Sequence, residues 1–402
     1  GMFSLNFRGK KGKSVALLTV LVFVLGIFAA GCGGGTEESS ADGDTIKVGI
    51  NLELSGTVAT YGTGIKNGAE LAFEEINADG GVLGKEIEVL VQDNKSQNRE
   101  ARNIAEKLIG EGVVAVIGPA TSGNVQAEVP VLTDAKIPVI APAATAPEVT
   151  YDEKTDTVKE YVFRVCFIDP DQSQVMAQYI LDELGLKKGA MMVNQEDEYS
   201  IGLGNAFREY FTTNGGEIVA EEGFITSDTA FKSQLTSISS KNPEFIYVPT
   251  YYNQVGLIIK QARELGIELP MMGADGWDSP KLASIAGAES LQDCYFTNHY
   301  SIEDPAEHIQ RFVKAYDEKY GATPDSFAAL GYDAGYLLAE AIEQAGSAEP
   351  EKIQEALANI KDFEGISGEM TIDEKHFTVK DLSIIKLVDG QQTLINKLKP
   401  ER

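Results

Sequence analysis

The stretch VAVIGPATSGNVQAEVP, residues 114–130, decides the fold. An apolar strand runs into Gly118 and Pro119, a loop presents Thr121 and Ser122, and the pattern predicts a helix starting near Asn124. A strand that hands hydroxyls and free backbone N–H groups to a helix N-terminus prepares a site for an anion. No P-loop lysine follows, so the phosphate-cradling motif is excluded and the identity of the anion is open.

The same unit recurs on both sides. IKVGINL precedes a helix expected over 64–77, IEVLVQD precedes one over 97–110, and IPVIAP follows the opening stretch. In the second of these helices Ala101, Ile104, Ala105, Leu108 and Ile109 keep one apolar face. Strands alternating with amphipathic helices imply a parallel sheet covered on both faces.

After a polar, turn-rich segment a second run begins with YVFRVCF, GAMMVN, EIVAEEGF, FIYVP, PMMGADGW and CYFTNHY, with helices expected from about Asp171, Gly202 and Phe231 and around Val255–Ala262. Helices over 305–320, 326–345 and 350–359 and the strands GEMTID and LSIIKLV suit a return to both lobes. The fold expected is therefore α/β, two doubly wound parallel-sheet lobes joined by several crossings, which make a hinge. The first lobe takes 45–166 plus 298–378, and the second takes 167–297 plus 379–402.

Residues 1–31 stand outside this pattern. Arg8, Lys10, Lys11 and Lys13 precede the apolar run SVALLTVLVFVLGIFAAG, which reads as a secretory signal; the run is also about long enough for a membrane anchor. FAAGC resembles the lipobox of bacterial lipoproteins, whose cysteine, here Cys32, is acylated. Residues 32–44 then form a lipid-anchored flexible tether. The whole chain carries a net charge of −27. Removing 1–31 takes away four cations and no acid, so −27 − 4 = −31 remains. So acidic a chain lacks the clustered Lys and Arg that nucleic acid requires. Cys166 and Cys294 could pair or be buried separately, and the sequence leaves both open.

Catalytic signatures are missing. There is no G-x-S-x-G, H-E-x-x-H, C-x-x-C or Walker A motif, and the only histidines are His299, His308 and His376. His308 and His376 lie among charged residues and are expected at the solvent, which leaves His299 alone for any triad. YGTGIKNG departs from the dinucleotide fingerprint. These observations favour binding without turnover, no metal and no cofactor.

Hydroxyls and amides without Lys or Arg suit a single negative charge, a carboxylate better than a polyphosphate. Ser122 and, on the next loop, Ala143, Ala144 and Thr145 follow consecutive strands and face one crevice if the sheet is open. Ser122 as a plain helix cap is the competing reading.

In order and spacing, LSGTVATYGTGIKNGAELAFEEINADGGVLG, VIGPATSGN, APAATAPE, EYSIGLG, YYNQVGLIIKQARELG and MMGADGW resemble the periplasmic leucine/isoleucine/valine-binding protein family, the solute receptors of branched-chain amino acid ABC importers. The resemblance spans about Thr45 to Lys399. It implies a type I periplasmic binding protein fold, with Ser122, Ala143 and Thr145 receiving the ligand carboxylate. It also implies Tyr61 over the ligand, Tyr199 and Tyr251 from the second lobe, Asp275 for the α-ammonium and Phe327 in the side-chain pocket. Trp277 is added as a possible wall. The aromatics have an ordinary loop or core reading as well. Several relatives carry Glu where this chain has Asp275, and the early disulfide of some members is absent. The partners implied are a free amino acid, an ABC permease with its ATPase, and the membrane through the lipid. The receptor is expected to be an extracytoplasmic monomer; delivery to a signalling partner is the alternative.

Overall fold

The computed structural model describes residues 45–401. The signal, Cys32 and the tether fall outside the described residues.

Two sheets organise the chain. The first holds strands Glu86–Asp93, Thr45–Leu52, Ala115–Ile117, Val139–Ala141 and Val162–Arg164 in that order, all parallel. Its three short strands are buried along their whole length, the continuous apolar run that a sheet covered on both faces requires. The second runs Gln391–Leu398, Leu382–Val388, Cys294–Asn298, Met271–Gly273, Phe245–Tyr247, Lys188–Asn194, Glu217–Phe224. Its five central and far strands are parallel, whereas Leu382–Val388 and Gln391–Leu398 add an antiparallel edge. The last strand was not expected. Its signal is the Asp389–Gly390 pair, both at positive φ (52° and 77°), the geometry of a two-residue hairpin turn.

The helices are α1 (Ala59–Ala78), α2 (Asn98–Gly110), α3 (Ser122–Asp134), α4 (Asp169–Asp182), α5 (Glu198–Thr213), α6 (Lys232–Ser239), α7 (Tyr252–Glu264), α8 (Leu282–Ala286), α9 (Glu307–Tyr320), α10 (Ser326–Ala345) and α11 (Pro350–Ala358). Four begin earlier than the pattern predicts, α4 by two residues at Asp169. Helix α1 starts at Ala59 and so carries Tyr61 in its first turn, and α3 starts at Ser122 itself. Helix α5 starts at Glu198 because Asp197 caps it, accepting the Ser200 N–H at 2.9 Å. Helices α1 and α10 cross at close range. A Cβ at Gly68 would lie 1.9 Å from the Ala328 carbonyl oxygen, and one at Gly331 would lie 2.2 Å from that of Ile65. Only glycine allows this approach.

The chain leaves the first sheet after Arg164, returns after Asn298 to pack α10 against α1 on that sheet's side, and crosses again before Leu382, so three segments join the lobes. Two of them are stitched together. Thr378 Oγ1 donates to the Cys166 carbonyl at 2.6 Å, and Lys380 Nζ donates to the Val165 carbonyl at 2.6 Å and reaches Ser367 Oγ at 2.8 Å. Lys380 is buried, which pulls its amine down to about 8, against the attraction of Asp333.

One expectation changes here, and one open question closes. His376 is buried rather than solvent-facing: Nδ1 lies 2.7 Å from the Val162 carbonyl and the ring stacks on Phe163 at 4.2 Å. Of its charged neighbours only Glu374 is exposed; Asp373 accepts the Lys375 and Phe377 N–H groups, and Lys375 lies over the Tyr151 ring. Cys166 and Cys294 are separate, buried free thiols. Among the described residues, no helix is long and apolar enough to cross a membrane.

Candidate functional site

In each sheet the first strand has its successor on one side and the third strand on the other. From Thr45–Leu52 the chain moves to Glu86–Asp93 and then to Ala115–Ile117 on the opposite flank. Lys188–Asn194 stands in the same relation to Glu217–Phe224 and Phe245–Tyr247. Loops at such a reversal diverge and leave a crevice beyond the carboxyl ends of the strands. The two crevices share one small cavity, lined by Tyr61, Ala120, Thr121, Ser122, Ala143, Tyr199, Tyr251, Asp275, Gly276 and Phe327.

The first lobe supplies donors. Ser122 is the first residue of α3, whose opening N–H groups have no acceptor within the helix. Its Oγ accepts the Ala146 N–H at 3.2 Å, which leaves the hydroxyl proton to donate. The turn after Val139–Ala141 is propped from behind by buried Arg164, which donates to the carbonyls of Ala144 at 2.6 Å and Ala146 at 2.8 Å. Among the described residues, no Lys or Arg lines the cavity. Donors and a helix N-terminus without a cation match one carboxylate.

The second lobe supplies the opposite charge. Asp275 follows strand Met271–Gly273 and is buried. Its Oδ1 accepts from Gln172 Nε2 at 3.0 Å and from the Tyr199 hydroxyl at 2.5 Å, and its Oδ2 lies 2.9 Å from His299 Nε2. A carboxylate has about four lone-pair sites, so three protein partners leave roughly one, on Oδ2, for a cationic donor. Burial pushes the His299 imidazole below its usual value, with Asp275 acting in the opposite direction, so the ring is neutral and donates through Nε2. The paired donors orient Asp275 without neutralising it.

Aromatic rings close the space between. Tyr61 stacks on Phe327 at 4.2 Å and meets Tyr251 edge-on at 5.7 Å. Tyr199 and Tyr251 are parallel at 4.9 Å. Burial, then the nearby acids, pushes the Tyr199 and Tyr251 phenols well above their usual value, so both are neutral donors. Contacts span the lobes at this level. The Tyr61 hydroxyl donates to the Gly276 carbonyl, Thr60 Oγ1 lies 2.9 Å from Ser279 Oγ, and Gln126 Nε2 donates to Glu198 at 2.6 Å. The lobes are closed on one another.

Seven of the ten expected ligand residues, Tyr61, Ser122, Ala143, Tyr199, Tyr251, Asp275 and Phe327, line this one cavity. Ala144, Thr145 and Trp277 do not. The Ala144 carbonyl is taken by Arg164, and Thr145 is buried on the same turn, its hydroxyl beside Asp169. Trp277 is core: its indole N–H donates to the Val248 carbonyl at 2.8 Å, and its ring covers Gly273 so closely that a Cβ there would lie 1.9 Å away. Sequence reading missed Gln172 and His299, which hold Asp275 from α4 and from the second crossing. His299 was legible only as a lone histidine beside a crossing.

The chain matches the family model described as periplasmic binding protein over residues 45–392. It is 30% identical over 348 residues to the Leu/Ile/Val-binding protein of Escherichia coli, covering 86% of this chain and 91% of that one. Its structure is similar, with a TM-score of 0.83 and 38% identity, to a branched-chain amino acid transporter substrate-binding protein, LivJ, from Streptococcus pneumoniae in complex with isoleucine. That likeness covers 89% of this chain and all of the other. A solute-binding protein of an ABC transporter from R. palustris in complex with benzoate is 26% identical with a TM-score of 0.79, over 89% and 97% of the two chains. With two lobes closed over a cavity lined by donors on one side and an acid on the other, the chain belongs to the periplasmic binding proteins, in the family of the Leu/Ile/Val-binding proteins.

Proposed function

We propose that this protein captures a free amino acid outside the cytoplasm, a branched-chain one (Leu, Ile or Val), by closure of its lobes, and delivers it to an ABC permease and its ATPase. The observation that carries the reading is that Ser122 with the N-terminus of α3 and Asp275 line the same small cavity. A zwitterion satisfies both at once, and the rings of Tyr61, Tyr199, Tyr251 and Phe327 leave an apolar compartment for its side chain. The carboxylate docks first, on the lobe of residues 45–166 and 298–378. The second lobe then swings about the three crossings so that Asp275 covers the ammonium. The work of the site is recognition; the closed form is what the permease reads. Acylation of Cys32 holds the receptor, as a monomer, at the membrane that carries its permease.

The benzoate-bound relative favours a second reading, a small aromatic acid. Benzoate has no cation, however, and would leave Asp275 buried against neutral donors alone, which is costly. Thermal unfolding with a panel of amino acids and aromatic acids separates the two. Leu, Ile or Val at a hundredfold excess over Kd stabilises the fold by about 2.7 kcal/mol; a shift with benzoate and none with any amino acid overturns the reading. A signalling partner in place of the permease shares the same binding step.

A further inference from the structure

We propose that Glu53 is a positioning residue for the ligand's carboxylate, turning the Ala120–Ser122 loop so that Ser122 faces the cavity. The inference rests on the amino-acid reading above and extends it to a residue that does not touch the ligand. Glu53 follows strand Thr45–Leu52 and is fully buried. The Ala120 N–H lies 3.1 Å from each of its carboxylate oxygens, and the Thr121 N–H donates to Oε2 at 2.9 Å. Two consecutive peptide N–H groups therefore point inward, at Glu53. The next residue, Ser122, lines the cavity and begins α3.

The anchorage continues behind the loop. Asn94 Nδ2 donates to Glu53 Oε1 at 2.9 Å and to Asn51 Oδ1 at 3.2 Å, and Asn51 Nδ2 donates at 3.0 Å to Glu128 on α3, all four side chains being buried. Strand Thr45–Leu52 thus grips both the loop and the helix that follows it. Burial raises the Glu53 carboxyl, while Asn94 and the two peptide N–H groups favour its charged form. Buried N–H groups require an acceptor, and without this one the loop has to turn those groups elsewhere, which displaces Ser122. An apolar prop of equal volume would fill the space without fixing that rotation.

The test compares L-leucine with L-leucinamide, which keeps the ammonium and side chain but not the anion, by competition binding on the full chain, for the wild type, Glu53→Ala and Glu53→Gln. The wild type prefers the acid. Glu53→Ala is expected to lower that preference roughly tenfold, and Glu53→Gln, which keeps one acceptor oxygen, by less. Affinities for acid and amide that fall together, with the ratio held within about threefold, make Glu53 merely structural and overturn the proposal. If Glu53→Ala does not fold, an unchanged ratio in Glu53→Gln overturns it alone. A wild type that binds no amino acid overturns the underlying reading instead.

Discussion

The imidazole of His299 lies 2.9 Å from the carboxylate of Asp275, with both side chains removed from solvent. The pair ties the second crossing to the acid that lines the cavity. With Asp275 as the proposed ammonium site, Asp275→Ala would leave the ligand's cation buried and unpaired. The expected loss is on the order of 3–5 kcal/mol, a hundredfold or more in affinity, with the fold retained. Calorimetry with L-leucine checks it, and an unchanged Kd removes Asp275 from the ammonium site.

Lengthening the acid is expected to fail too. Gln172, Tyr199 and His299 fix the carboxylate where it is, at 3.0, 2.5 and 2.9 Å. Asp275→Glu advances it by about 1.5 Å, away from these partners and into the small cavity that it lines. Affinity for Leu and Ile should fall more than affinity for Ala, measured side by side by calorimetry. Equal or improved binding of Leu would show that the shorter acid does not set ligand size.

His299 also sets a pH dependence. Its folded-state pKa is depressed by burial, partly offset by Asp275, so as pH falls below about 6.5 the unfolded chain takes up the proton first. Stability present above that range is lost as pH falls toward the folded value, with a slope of up to about 1.4 kcal/mol per unit for one proton. His299→Gln retains a donor near Asp275 without titrating. Urea unfolding between pH 7 and pH 5 should show a shallower decline in the variant than in the wild type. Buried His376 is unchanged in both, so equal slopes would exclude His299 as the source.

What was legible in the sequence is what lies next to a strand end. Ser122, Tyr199, Tyr251 and Asp275 each follow an apolar run by a few residues, and the alternation of strands and helices puts all such positions at one end of a sheet. Support from a distance was not legible. Gln172 is 103 residues from Asp275 and His299 is 24, and nothing in local periodicity brings them together. Trp277 illustrates the opposite error, since a large aromatic two residues from the acid belongs to the core because Gly273 leaves room for its ring. The final hairpin was written in Asp389–Gly390, yet its strand, QQTLINKL, is too polar to stand out by hydrophobicity.

Tyr61 tests closure separately from ligand contact. Its ring stacks on Phe327 within the first lobe, while its hydroxyl donates to the Gly276 carbonyl of the second. Tyr61→Phe keeps the stack and removes a bond that exists only when the lobes meet. The expected cost is about 1 kcal/mol, roughly fivefold in affinity, expressed mainly as faster release because the docking encounter is untouched. Stopped-flow displacement should show the higher dissociation rate, with the melting temperature of the ligand-free protein unchanged. A slower association at constant release would place the hydroxyl's role in docking instead.

Asp325 offers a gain rather than a loss. It caps α10, accepting the Ala328 N–H at 3.0 Å, and its carboxyl is pushed up to about 8 by burial first and then by Asp278. Asp278 itself accepts the Ser326 N–H at 2.9 Å, so two acids share the start of the helix that carries Phe327. A raised folded-state pKa means that the folded chain keeps a proton the unfolded chain releases. Stability from this group is full below about pH 3.9 and is lost as pH rises toward 8. Asparagine caps as well as aspartate and has no charge to bury, so Asp325→Asn should be the more stable protein at pH 8 and indistinguishable near pH 4. Part of the Asp325 surface reaches solvent, which limits the expected gain to about 1 kcal/mol. Urea midpoints at the two pH values read it directly, and a variant less stable at both would mean that the Asp325 charge strengthens the cap more than burial weakens it.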